Sequence, residues 1–193
     1  MRWQLTVACA ILGLGMALNS TAPAQEAPVD NEAALQVAAE LSNNYAEQQK
    51  IARKNAKIHS SSGLTEYLAK NKTDDSPLNS LSPAARKRFI ESLKFNENGV
   101  TSFYYADIES QLTSSQAYNL LSMFGLQTTL QFMHKLRVNS SNDQGIMSAY
   151  GSGSGSGSGG SISPGAPEDH NDYWCSGRAT CSRNVGSICT GNC

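Results

Sequence analysis

The amino-acid sequence predicts an all-α protein: a small helical body of three to five helices, a flexible Gly/Ser linker, and a disulfide-stapled irregular C-terminal peptide. Three observations lead there. Apolar residues recur at three-and-four spacing along the first two thirds of the chain, and no alternating strand pattern of useful length interrupts them. A Gly/Ser repeat runs from Gly151 to Ser161. Beyond it, Cys175, Cys181, Cys189 and Cys193 stand in C-x5-C-x7-C-x3-C spacing.

The N-terminus has the composition of a secretory signal peptide. Arg2 supplies a positive start, Leu5 to Leu18 is mostly apolar, and Ala22-Pro23-Ala24 offers small residues for cleavage after Ala24. The apolar run is too short to span a bilayer as a helix. The chain is then organised as a signal peptide over 1–24, a helical domain over 25–138, a linker over 139–171 and a Cys-rich peptide over 172–193. Cys9 falls within the removed segment, which leaves an even cysteine set. Localisation is then secreted or periplasmic.

The first expected helix spans 30–59. Asp30 is its N-cap, and Ala34, Val37, Ala38, Leu41, Tyr45 and Ile51 form its apolar face. Ser60 to Gly63 should stop it, with a further short helical turn over Leu64 to Lys70 and a polar loop around Pro77. Ser82-Pro83 opens the next helix, with the serine as N-cap and the proline where its missing N–H costs nothing. Phe89, Ile90 and Leu93 form its apolar face, and Asn96 to Gly99 ends it. Val100 to Ile108 fits helix or strand equally by periodicity. Thr113-Ser-Ser-Gln116 is a capping box. The helix it starts carries Ala117, Leu120, Leu121 and Phe124, and Gly125 divides it from the stretch through Leu130, Met133 and Leu136.

The tail has few apolar residues: Tyr173, Trp174, Val185 and Ile188. That is too little burial to offset backbone ordering entropy, so the tail needs staples. In an exported chain these are two disulfides among Cys175, Cys181, Cys189 and Cys193, in any of three connectivities. A zinc site wants paired C-x2-4-C units, and only Cys189 to Cys193 approaches that spacing. Lanthionine bridges from the nearby Ser and Thr residues are chemically conceivable, but that modification is usually cytosolic.

The remaining polar residues suggest no chemistry. His59, His134 and His170 accompany no nucleophile pattern. Asp74-Asp75 and Glu168-Asp169 read as solvated carboxylates in loops, and Arg86-Lys87-Arg88 as a solvated helix face. The expectation is therefore no enzyme, no cofactor and no metal. The formal net charge of −1 points away from nucleic acid.

The stretch from Leu81-Ser82-Pro83-Ala84-Ala85-Arg86-Lys87-Arg88-Phe89 through Leu112-Thr113-Ser114-Ser115-Gln116 resembles the fulvocin C-related bacteriocins of bacteria. Those proteins pair helices opened by an L-S-P…R start and an L-T-x-x-Q start with a short cysteine-rich C-terminus. The resemblance implies a bacterial, exported precursor or carrier whose C-terminal peptide is antibacterial. Its partner would be a receptor or envelope component of a target cell, with membrane contact open to the peptide. The alternative is a non-enzymatic periplasmic or cell-surface interaction protein whose Cys-rich tail is only structural.

Overall fold

A computed structural model describes residues 31–70, 75–151 and 169–193. The cleavage site at Ala24, the N-cap at Asp30, Asp74 and most of the Gly/Ser repeat lie outside these residues.

The fold is mixed α/β, which corrects the all-α expectation. In chain order the main elements are α1 (Asn31–Lys54), α2 (Ser61–Lys70), α3 (Pro83–Ser92), β1 (Lys94–Asn96), β2 (Gly99–Tyr104), α4 (Ala106–Gln111), α5 (Ser114–Ser122), α6 (Ser141–Ile146), β3 (His170–Gly177) and β4 (Thr180–Cys189). The strands form one antiparallel sheet in the order β1-β2-β4-β3. β2 resolves the ambiguous stretch Val100 to Ile108: strand first, then α4. It is buried nearly throughout, so it reads as a continuous apolar and small-residue run without alternation.

The C-terminal peptide is not irregular. It is the β3–β4 hairpin, and β4 lies inside the sheet between β3 and β2. Only this tertiary pairing makes strands of segments whose own composition is loop-like. Residues 141–151 also depart from the linker assignment. α6 forms there with Ser140 as N-cap, and a π-helical turn continues it over Met147–Gly151.

Several local readings hold. Ser82 caps α3 by accepting a hydrogen bond from the Ala85 N–H, with Pro83 at the first helical position. Thr113 and Gln116 form the reciprocal capping box of α5. Others do not. Gly63 sits in the first turn of α2 and stops nothing. On α1, Val37 and Ile51 are 65% and 51% exposed, opposite to their assignment. Ala46 and Arg53, in the C-terminal half of that helix, are buried.

Phe89 from α3 centres the core. It meets Phe103 of β2 and Phe124 edge-on, with ring centroids 6.1 and 5.6 Å away. Ile108, Leu112, Leu120, Leu121 and Leu130 are fully buried around them, and Ile188 of β4 completes the cluster. Gly125 lets α1 approach. Its φ is +67°, and a Cβ there would lie 2.6 Å from the Ala52 carbonyl oxygen and 2.7 Å from Arg53 Cα.

Asp143 at the start of α6 ties that helix to α5. Its carboxylate accepts from the Ser115 N–H at 2.9 Å, the Ser140 hydroxyl at 2.8 Å and the Asn139 N–H at 3.1 Å. These hydrogen bonds, those from Ser115 foremost, hold the carboxyl well below the usual carboxylate range.

Both contacts can be tested. Gly125→Ala should lower stability by roughly 2 kcal/mol or more, read by denaturant unfolding, because backbone must move to admit the methyl group. Asp143→Asn should lower the melting temperature at neutral pH. A depressed carboxyl stabilises the fold above the unfolded-state pKa of about 4 and loses that effect as pH falls through the folded value. The gap between wild type and variant should therefore shrink on acidification below about pH 4. A gap constant from pH 7 to pH 2 would contradict this account.

Candidate functional site

The four tail cysteines come together from both ends of the β3–β4 hairpin: Cys175 and Cys181 pair beside its turn, and Cys189 pairs with His170 and with Ser102 of β2 at the other end. Cys175 bonds Cys193 and Cys181 bonds Cys189, with Cα–Cα distances of 5.6 and 6.0 Å. The sulfurs of Cys175, Cys189 and Cys193 lie within 4.8 Å of one another, so the two bridges pack side by side. As disulfides they present no thiolate to a metal. The bridges span sequence separations of 18 and 8 residues. Loop-closure entropy puts their contributions at about 3 and about 2.5 kcal/mol respectively. Both close within residues 175–193, and neither reaches the helical body. Such bridges form and persist in an oxidising environment.

The hairpin has two unlike ends. The turn end, with Arg178 and Ala179 between the paired Gly177 and Thr180, is exposed. Arg178 faces water there, and Arg183, Tyr173 and Val185 are exposed further along the hairpin, Val185 at 71%. The other end is docked. Ser187, Ile188 and Cys189 pair with Tyr104, Phe103 and Ser102 of β2. Ile188 and Cys189 are fully buried. Thr190 donates its N–H to the Thr101 carbonyl at 2.8 Å and its hydroxyl to the Val100 carbonyl at 2.7 Å. Asn192 donates to the Asn98 carbonyl at 2.8 Å, and Asn96 donates back to the Asn192 carbonyl at 2.6 Å. The sequence from 187 to 192 is thus held by hydrogen bonds to the β1–β2 hairpin.

A buried ion pair completes the docking. Arg53 Nη2 meets both carboxylate oxygens of Asp169, at 2.8 and 2.6 Å, with the two side chains 2% and 3% exposed. Asp169 also accepts from the Gly191 N–H at 2.9 Å, and Arg53 Nε has no hydrogen-bond partner. The expectation of a solvated loop carboxylate at Asp169 is corrected here: its side chain is buried against Arg53. Sequence reasoning missed Arg53 as well. It stands among Gln48, Gln49, Lys50 and Lys54, and nothing in its neighbours separates it from an exposed cation.

The other polar residues have local roles. Arg88 forms a two-pronged pair with Asp107 at 2.7 and 2.8 Å, and Lys87 pairs with Glu91 at 2.5 Å. His59 Nδ1 lies 3.1 Å from the Ala56 carbonyl, His134 is exposed, and His170 packs edge-on to Tyr173. Among the described residues no helix is long and apolar enough to cross a membrane. No known protein family, curated protein or solved structure matches the chain.

The docked end makes hairpin and body one unit energetically. Ile188→Ala, a change within the Cys-rich segment, should cost the whole protein about 2–5 kcal/mol in denaturant unfolding. Val185→Ala, three residues away, should cost under about 0.5 kcal/mol. Equal effects of the two would show that β4 is not seated in the core.

Proposed function

We propose that the chain is an exported, non-enzymatic precursor or carrier of a small disulfide-bonded C-terminal peptide with bacteriocin-like antibacterial activity. The observation that carries this reading is where the staples close. Both disulfides lie within residues 175–193, on the far side of the Gly/Ser run from α1 to α6. A segment stapled only to itself keeps its shape after separation from its neighbours, because the bridges restrict its unfolded state wherever it goes. The exposed end supports the same reading. Arg178 and Arg183 with Tyr173 and Val185 combine cationic and apolar groups on one small hairpin, the combination that favours contact with anionic envelope surfaces. The disulfides suit a secreted or periplasmic destination, and the body serves as the carrier that holds the hairpin until release.

One observation favours a second reading. β4 contributes Ile188 and Cys189 to the body's core, so the hairpin also serves the fold of the whole chain. In that case the protein is a non-enzymatic interaction protein of the periplasm or cell surface, and its cysteines are structural.

Intact mass of the secreted product, with and without reductant, separates the two. The carrier reading expects a fragment near residues 161–193 that gains about four protons on reduction of its two bridges. That oxidised fragment should inhibit growth of susceptible bacteria. Recovery of only the uncut chain, with an inactive synthetic oxidised fragment, would leave the interaction reading standing.

A further inference from the structure

A cut in the Gly/Ser run breaks one covalent connection and leaves the docking contacts in place. No disulfide joins the two sides of that cut, because both bridges close within residues 175–193. The contacts that remain reach several parts of the body. Ser187, Ile188 and Cys189 of β4 pair with β2. Tyr105 donates its N–H to the Gly186 carbonyl at 2.7 Å, and Thr190 donates its N–H to the Thr101 carbonyl at 2.8 Å. Asn192 and the β1–β2 hairpin exchange side-chain amide bonds at 2.8 and 2.6 Å, with the Asn98 carbonyl accepting and Asn96 donating. Asp169 lies on the tail side of the cut, so its buried pair with Arg53 of α1 spans the same boundary.

This boundary has the anatomy of a protein–protein interface. Ile188 and Phe103, 0% and 1% exposed, form an apolar centre. Hydrogen bonds surround it, and a desolvated ion pair closes one edge. Separation would uncover that centre and leave the buried Arg53 without its counter-ion. The covalent connection itself adds only effective concentration, on the order of millimolar for a short linker. Docking also hides part of what a free peptide would present. Ile188 joins the exposed Tyr173, Val185, Arg178 and Arg183 only when β4 leaves β2.

We propose that the helical body is the neutralising partner of its own C-terminal peptide. After the Gly/Ser run is cut, body and tail persist as a one-to-one noncovalent complex, and the peptide is free only after β4 leaves β2. Release then takes two events, a backbone cut and an undocking. That the tail needs neutralising rests on the carrier reading above; that the complex outlives the cut rests on the sheet and the ion pair alone.

The test uses the oxidised full chain with a site-specific protease sequence placed within residues 152–159. The cut protein is run on gel filtration at micromolar concentration, with the disulfides intact. The expected result is co-elution of the two pieces as a one-to-one complex that separates only in denaturant. Affinity is read by displacing the cut tail with a labelled synthetic oxidised fragment of residues 161–193. Ile188→Ala should weaken association by about thirtyfold or more. Asn192→Ala, a milder change that deletes the bond to the Asn98 carbonyl, should weaken it by about fivefold. Val185→Ala should leave it within about twofold. The cut complex should inhibit bacterial growth far less than the same amount of isolated tail. Separate elution of the wild-type pieces, or equal affinities of the Ile188→Ala and Val185→Ala variants, would overturn the proposal. An isolated tail with no effect on growth, beside a persistent complex, would instead count against the antibacterial reading and with it the neutralising role.

Discussion

The Arg53–Asp169 ion pair joins the first helix to the last hairpin, and the arrangement around it depends on that contact. Arg53 lies near the end of α1, where Gly99 and Gly125 admit its backbone. Its guanidinium reaches Asp169 immediately before β3 begins. Removing either partner would leave an uncompensated buried charge, a loss of several kcal/mol. The pair is costly as well as adhesive, because both ions are desolvated and Arg53 Nε remains unsatisfied. Its geometric effect is to set where the hairpin enters. Asp169 holds the Gly191 N–H, and that fixes the far end of the same hairpin against the β1–β2 turn.

From that anchor the hairpin divides into a docked half and a free half. Ile188 is buried in the core, whereas Val185 is 71% exposed. Gly186 stands between them with φ +81°. A side chain there would strike the Tyr104 ring at 2.8 Å, so glycine permits the close passage of β4 over β2. The disulfides link the two halves: Cys175 and Cys181 pair beside the exposed turn, and Cys189 is buried at the docked end. A self-stapled peptide and an integral strand are therefore the same segment seen from its two ends. This is why the carrier and interaction readings share one structure.

The helical parts of the fold were legible where a residue acts on its own neighbours. Ser82-Pro83 and the Thr113–Gln116 box are local devices, and they stand where the spacing placed them. Gly125 divides the helical run as expected, with a left-handed backbone. The sheet was not legible. β1 has three residues, β2 carries Thr and Ser among its apolar side chains, and β3 and β4 are polar and glycine-containing. Such segments become strands because their backbone groups find partners across the fold, which a periodicity within one segment cannot register. Asp169 failed for the same reason: its burial comes from a helix more than a hundred residues earlier.

By itself, the sequence determined the composition of the tail: four cysteines, few apolar residues and a Gly/Ser run before them, hence a segment that needs covalent staples to hold a shape. It also determined the caps that start α3 and α5, because those bonds close within three residues. Only the tertiary structure decided which cysteines pair, that the stapled segment is a hairpin, and that its second strand enters the sheet of the body. Those outcomes rest on contacts between residues far apart in the chain. Asp169 meets Arg53, Ile188 meets Phe103, and Thr190 meets Val100. Their free energy exists only once the backbone has already been brought together.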